Sequence, residues 1–543
     1  YLNFRIRGNM YLDRISVSES AVVQRIRPWS FNWIRILAVF APLLAAICLY
    51  RYSNGFRGAV QTFDRKVIQP ETRWKAISYG YGIFACAMIL SNVYRMLYWK
   101  KGLSYTPGAF PFEIPWYVFA ILGILLGRMW KTRTFWVLLI LLAWQYFRLA
   151  FEDYAATVSV RYFFLNSLYL YFGCFSVGRA LPPAKNRWFI GLVCITWTLM
   201  MLVYEGFGAY AAWNGVAVPN LGGSTFAVRD SRLYGIYHPV ICGVLAGVSC
   251  ALLITGMHIT RRKSVRMMGI LAFMFILIIG SLSVARTGYV VVGFALASTA
   301  GLHLYERLFS NRRVVPLKDG RIPFGGKVWR WTAVCLLFMG ILVSVTLLQN
   351  RIVSTFTFIR DNGGFFPRAV AEAVEGAKVS IAPREFNLDS PDAFLTERIT
   401  IWEIFSQVLK ENPSIRLWGQ SVYNTIAPVN ELSDSLGFKE VAHCHNELFQ
   451  NILESGIPGG VLYLIFVVSI LIATVKVVME RSSPLWFRMI PLASVCCLIA
   501  ETVDCTCKIS TMHPQATLLY LFAGLTLAAS EQTIKKQRRR RSV

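Results

Sequence analysis

The amino-acid sequence predicts an all-α polytopic membrane protein, and three observations lead there. Apolar runs long enough for a helix of ~20 residues to cross a bilayer recur from one end of the chain to the other. Hydrophobic residues make up 55% of the 543, while charged residues are only 16%, too few for a soluble chain that would divide into several domains. The charge that is present, net +27, falls between the apolar runs, where basic loops mark the cytoplasmic side of a membrane. That punctuation also argues against a nucleic-acid partner, for which basic residues would gather on one soluble face.

Residues 1–31 are basic and mixed and read as a cytoplasmic N-terminus. The first apolar run starts near Asn32, behind this segment, and reads as a retained anchor rather than a cleaved signal. Candidate spans lie at about 32–50, 76–98, 115–130, 135–151, 162–178, 188–204, 236–257, 267–284, 287–305, 330–348, 457–478, 485–504 and 515–530. The chain thus divides into an N-terminal membrane bundle (32–348), a large polar loop (349–456), C-terminal spans (457–530) and a basic cytoplasmic tail (531–543). Arg261-Arg262-Lys263, the basic segment 306–330 and the tail are placed inside, which puts 205–235, 281–288, 349–456 and 505–514 outside. An inside N-terminus then requires an odd number of spans before residue 205, where six are counted; the short pair 115–130 and 135–151 is the weakest.

Within the polar loop, Ile399, Trp402, Phe405, Ser406 and Leu409 share a helix face, predicting an amphipathic helix over 396–411 that Asn412-Pro413 stops. Residues 361–392 read as irregular. At the end of the loop, His445, Leu448, Phe449, Ile452 and Leu453 fall at i, i+3, i+4, i+7 and i+8, one face of a helix that Gly456 and Pro458 end before an apolar span. His445 is placed in the first turn, where an imidazole is suited to take a proton from a hydroxyl.

Four arginines lie on the side opposite the basic loops, where the positive-inside bias does not expect them. Arg229 and Arg232 precede His238, Arg286 sits between two spans, and Arg398 opens the loop helix. A guanidinium at a membrane is costly without a partner, and a phosphate supplies bidentate acceptors, so a converging set points to an anionic lipid head group. The plainer reading is that each snorkels separately to lipid phosphate. The twelve cysteines mostly sit inside apolar runs as small hydrophobes. Cys444, Cys505 and Cys507 are exceptions at helix ends on one side, where a disulfide from Cys444 to the last hairpin is a further expectation.

His445-Asn446, Leu448 and the turn Glu454-x-Gly456-Ile457-x-Gly459 entering an apolar span resemble the signature of the O-antigen ligase and polymerase superfamily of bacterial envelope proteins. Ser283–Gly288 is similar to the family's Ser-Arg-x-Gly segment, although Val284 and Ala285 separate the serine from Arg286. Glu397–Trp402 is similar to its Arg-x-x-x-Trp segment, and Tyr234–Pro239 matches loosely, so the resemblance covers roughly 200–480. It implies about twelve spans, nine of them before a large periplasmic loop, and a glycosyltransferase C-like fold in the bacterial inner membrane. It also implies glycan transfer at the periplasmic face, from undecaprenyl pyrophosphate to a sugar hydroxyl of lipid A-core (a ligase) or of another repeat unit (a polymerase). The transfer would invert the anomeric carbon and need neither metal nor cofactor.

The residues suit that chemistry on their own terms. Arg229, Arg232, Arg286 and Arg398 are pyrophosphate-binding candidates, and Arg286 and Arg398 are also catalytic candidates that would stabilise the developing leaving-group charge. His445 is the candidate base. Three alternatives stand beside this. His443-Cys444-His445 on an extended strand would offer alternate zinc ligands, though without a second cluster. His238, near Arg232, would be another base. A transporter of an anionic lipid or solute would use the same arginines in a basic cavity, though no inverted repeat is visible.

Overall fold

The computed structural model describes residues 2–7, 10–15, 52–63, 71–98, 110–149, 164–219, 225–229, 231–235, 239–310, 324–362, 381, 398–420, 427–435, 444–504 and 514–541. The expected first span at 32–50, His238, His443, Cys505 and Cys507 lie outside them, as does nearly all of the segment expected to be irregular.

A two-stranded antiparallel hairpin, β1 (Leu2–Arg7) and β2 (Met10–Ile15), comes first. The membrane portion follows with α1 (Asn54–Phe63), α2 (Glu71–Tyr98), α3 (Phe110–Gly127) and α4 (Arg133–Leu149). The doubted pair, α3 and α4, are two separate helices joined through a short turn, and each buries residues fully, among them Phe119, Ala120, Leu138 and Leu141. Helix α5 covers 164–180 and widens into a π-turn over Leu168–Cys174. Then come α6 (Arg187–Asn214), α7 (Pro239–Ile259), α8 (Lys263–Ser281), α9 (Arg286–Ser310) and α10 (Phe324–Asn362).

The polar loop supplies α11 (Arg398–Glu411), α12 (Pro413–Trp418) and α13 (Ala427–Ser435). Asn412 and Pro413 separate the first two, because Pro413 lacks the N–H that would continue α11 and suits the first turn of α12. The chain closes with α14 (Glu447–Met479), α15 (Leu485–Arg488), α16 (Ile490–Asp504) and α17 (Pro514–Arg541). Among the described residues eight helical stretches are long and apolar enough to cross a membrane. They lie in α2, α6 to α10, α14, and the stretch Leu485–Thr502. The protein is a multi-pass helical membrane protein.

The β1–β2 hairpin and a second feature outside the helices depart from the all-α expectation. After α6 the chain forms a small antiparallel sheet of β3 (Val218–Pro219), β4 (Thr225–Arg229) and β5 (Arg232–Tyr234), in register Val228↔Leu233 and Arg229↔Arg232. Phe226 of β4 anchors it on α6, edge-on to Tyr204 at 4.9 Å and stacked on Phe207 at 5.8 Å.

Two cores result. The large one runs through the bundle and fully buries Trp197, Tyr169, Tyr171, Phe189, Phe466 and Phe522. The smaller one joins α11, α12, α13 and the start of α14 through Ile404, Phe405, Val408, Ile415, Val429 and Leu453. It holds the helices of the polar loop against the start of α14.

Candidate functional site

Arg286 is placed by a close helix crossing. Any side chain on Gly288 of α9 would strike the main chain of Gly243 in α7, and one on Gly247 would strike the carbonyl of Gly288. Small residues let the two backbones touch, as they do in membrane interfaces generally. The turn from α8 into α9 packs on the same place. Ser283 Oγ donates to the Gly280 carbonyl at 2.6 Å, and Val284 takes a left-handed conformation, φ 51°. A β-branched residue there is strained by about 1–3 kcal/mol, a cost the surrounding contacts must offset. Its effect is to turn the chain so that Arg286 becomes the first residue of α9.

The same turn captures the sheet. The Leu233 N–H donates to the Leu282 carbonyl at 2.8 Å, which brings the adjacent Arg232 to the mouth of α9. Arg286 is half-buried and lies in the repulsive field of Arg232 and Arg398. Three like charges gathered at a helix start form a place where a multivalent oxyanion relieves mutual repulsion. Arg229 pairs across the hairpin with Arg232 but is exposed, so it stands at the margin of this group.

Arg398 arrives from the polar loop. It opens α11, and Trp402 lies one turn further on the same face. The Trp402 indole Nε1 donates to the Cys444 carbonyl at 3.0 Å, and its ring stands edge-on to Phe449 at 5.7 Å. Phe405, on the next turn, stacks on Phe449 at 4.9 Å. Helix α11 therefore clamps the segment that carries His445 and presents Arg398 beside it.

His445 departs from the expected position. It sits before α14, not in its first turn, with a left-handed backbone of φ 50°. The helix is capped by the next residue: Asn446 is extended and its side chain accepts from the Leu448 and Phe449 amides at 3.0 and 3.2 Å. Asn446 Nδ2 also donates to the Thr502 carbonyl at 3.1 Å, tying the segment to the end of α16. His445 thus occupies a short bridge held on both sides, by Trp402 before it and Asn446 after it.

The first turns of α14 carry residues that the apolar spacing concealed. Glu447, Gln450, Asn451 and Glu454 are all buried, on the face opposite the one that joins the small core. The Cys444 amide donates to Gln450 Oε1 at 3.2 Å, and Gln450 Nε2 donates to Glu454 Oε1 at 3.0 Å. Asn451 Nδ2 donates to the Glu447 carboxylate at 3.0 Å. Their i, i+3, i+4, i+7 spacing was a helical polar stripe that the sequence displayed as clearly as the apolar one.

Gly456 breaks α14 at φ 69°, as the sequence predicted. The carbonyls freed by the break find donors: the Gln420 amide reaches Leu453 O at 2.6 Å, and Trp144 Nε1 reaches Ser455 O at 2.7 Å. Gly419 and Gly456 approach through backbone alone. A side chain on Gly456 would meet the Leu417 carbonyl, and one on Gly419 would meet that of Glu454. Trp144 and Trp418 stack at 5.3 Å over this junction.

No curated protein matches the chain. Residues 269–464, the stretch that contains Arg286, Arg398, Trp402, His445 and the Gly456 turn, match the family described as O-Antigen ligase, so this part of the chain is similar to that family.

Proposed function

We propose that the protein is an O-antigen ligase-type glycosyltransferase that moves a glycan from undecaprenyl pyrophosphate to a sugar hydroxyl of lipid A-core, at the periplasmic face of the bacterial inner membrane. The observation that carries this reading is the gathering of Arg232, Arg286 and Arg398 at one end of α9, beside the bridge that holds His445. In this reading the arginines grip the pyrophosphate, with Arg229 at the rim.

The chemistry is a single displacement. The acceptor oxygen attacks the anomeric carbon, the bond from that carbon to the pyrophosphate oxygen breaks, and configuration inverts. The hydroxyl proton passes to the His445 imidazole, and the negative charge developing on the leaving pyrophosphate is met by fixed guanidiniums. Cations already in place can do the electrostatic work that a divalent metal does elsewhere, so the reading includes neither metal nor cofactor. Twelve spans, a glycosyltransferase C-like bundle and a periplasmic 349–456 loop belong to the same proposal. The basic end of the bundle, marked by Arg481, Arg488 and the tail of α17, would face the cytoplasm.

The test is transfer by the purified full chain from a lipid-linked glycan donor to lipid A-core, with and without chelator. Product on lipid A-core supports the ligase reading. Product only on a second lipid-linked unit makes the protein a polymerase, and no transfer with either acceptor overturns the proposal.

A further inference from the structure

At the end of the bundle away from Arg286 and His445, a cavity of about 270 Å³ lies between α9, α10, α14, α15 and α16. Phe294, Leu302, Phe338, Val478 and Leu492 make most of its wall apolar. Tyr305, Trp331 and Arg488 line it as well. Arg488 is only 1% exposed. Its Nε donates to the Val478 carbonyl at 2.7 Å and its Nη1 pairs with Glu306 at 2.5 Å. Among the described residues, Arg488 Nη2 has no hydrogen-bond partner, and neither has Thr474 Oγ1 in the same wall. A buried charged donor left without an acceptor is a standing cost that an anionic ligand removes.

The surroundings are basic. Arg481 donates through Nε and Nη2 to the Tyr305 hydroxyl at 3.0 and 2.8 Å. Lys536 Nζ donates to the Ser482 carbonyl at 2.9 Å, and Gln537 Nε2 donates to Glu480 at 2.7 Å, which brings the Lys535–Arg541 tail of α17 to this end. Glu306 and Glu480 offset only part of that charge. Basic pockets between membrane helices are where anionic lipid head groups bind.

We propose that this cavity holds one acyl chain of an anionic glycerophospholipid, with the lipid phosphate on Arg488 in its wall. The volume suits a single chain, since pockets that enclose a whole drug-sized molecule are roughly 300–1,000 Å³. The apolar wall takes the chain, and the unsatisfied Nη2 takes a phosphate oxygen. Helices α9 and α14, which wall the cavity, begin at Arg286 and just after His445. The lipid therefore braces, from the far end, the two helices that carry the candidate site. The inference does not depend on which glycan is transferred.

The experiment is native mass spectrometry of the delipidated full chain with phosphatidylglycerol or phosphatidylcholine of matched chains. Phosphatidylglycerol is expected to be retained about tenfold more tightly, because the choline ammonium of phosphatidylcholine partly neutralises the phosphate that Arg488 grips. Ser298→Phe, which fills the cavity, should lower that retention by about tenfold or more. The paired change Arg488→Gln with Glu306→Gln should keep a chain bound but abolish the preference between head groups. Equal retention of the two lipids by the wild type, or undiminished retention in Ser298→Phe, overturns the proposal. On the wild type alone, phosphatidylglycerol with a photoreactive group at the chain end should label the cavity wall, for example Phe338; labelling confined to the outer surface of the bundle overturns it.

Discussion

The indole of Trp402 donates to the carbonyl of Cys444 at 3.0 Å, so the residue immediately before His445 is fastened to the helix that opens with Arg398. One hydrogen bond therefore sets the spacing between the candidate base and a candidate pyrophosphate ligand. Trp402→Phe keeps an aromatic ring against Phe449 and removes only the N–H. Transfer is expected to fall about three- to tenfold, as befits loss of one neutral hydrogen bond, with donor affinity nearly unchanged. Initial rates at saturating donor read this directly; a rate equal to wild type removes Trp402 from any positioning role.

Arg286→Ala and Arg398→Ala should each abolish transfer while the protein remains at normal level in the membrane. Lysine at either position should rescue poorly, because an ammonium cannot form the two parallel bonds of a guanidinium to a phosphate. Arg229→Ala, at the exposed margin, should cost less than either. Full activity in both alanine variants would separate these arginines from the chemistry.

His445→Ala should lose about 10²- to 10⁴-fold in rate, the usual size of general-base catalysis, while donor binding persists through the arginines. His443→Ala should lose far less, and EDTA should leave the wild type active. The comparison is made in one assay with lipid-linked donor. An active His445 variant beside a dead His443 variant would show that the other histidine is the base, and equal losses restored by added zinc would favour a metal site.

Gly456→Ala and Gly419→Ala should each destabilise the protein by about 2–4 kcal/mol. The strain of a left-handed backbone at a residue with a side chain adds to the clash with an opposing main chain that has nowhere to go. Thermal unfolding in detergent measures it, with Gly206→Ala, whose added methyl meets nothing within 4 Å, as the control. An unchanged midpoint in Gly456→Ala would show that the junction is looser than its geometry.

Much of the membrane architecture was legible because a bilayer demands long apolar helices and leaves few alternatives. Helix α11 was legible for the same reason on a smaller scale: Trp402, Phe405 and Leu409 fall on one face, and Pro413 stops the run. The β4–β5 hairpin was not, because Phe226, Ala227 and Val228 are all buried and no alternation betrays a strand. The placement of His445 turned on which polar residue of Cys444-His445-Asn446-Glu447 caps the helix. Periodicity cannot decide this, since a shift of one or two residues leaves Leu448 and Phe449 on the same face. A polar stripe such as Glu447, Gln450 and Glu454 ordinarily marks a water-facing side, whereas this helix is enclosed on both sides. The arginines come from three segments distant in sequence, brought together by the Gly243–Gly288 crossing, the Leu233–Leu282 bond and the hold of α11 on the Cys444 carbonyl.

At the junction of Gly419 and Gly456 both partners are main chain, with no rotamer between them. A side-chain contact can absorb a displacement by hopping to another rotamer; a main-chain contact transmits it whole. Mechanically the junction is a rivet. Any load placed on the polar loop reaches the membrane-spanning half of α14 undamped, and from there the rest of the bundle.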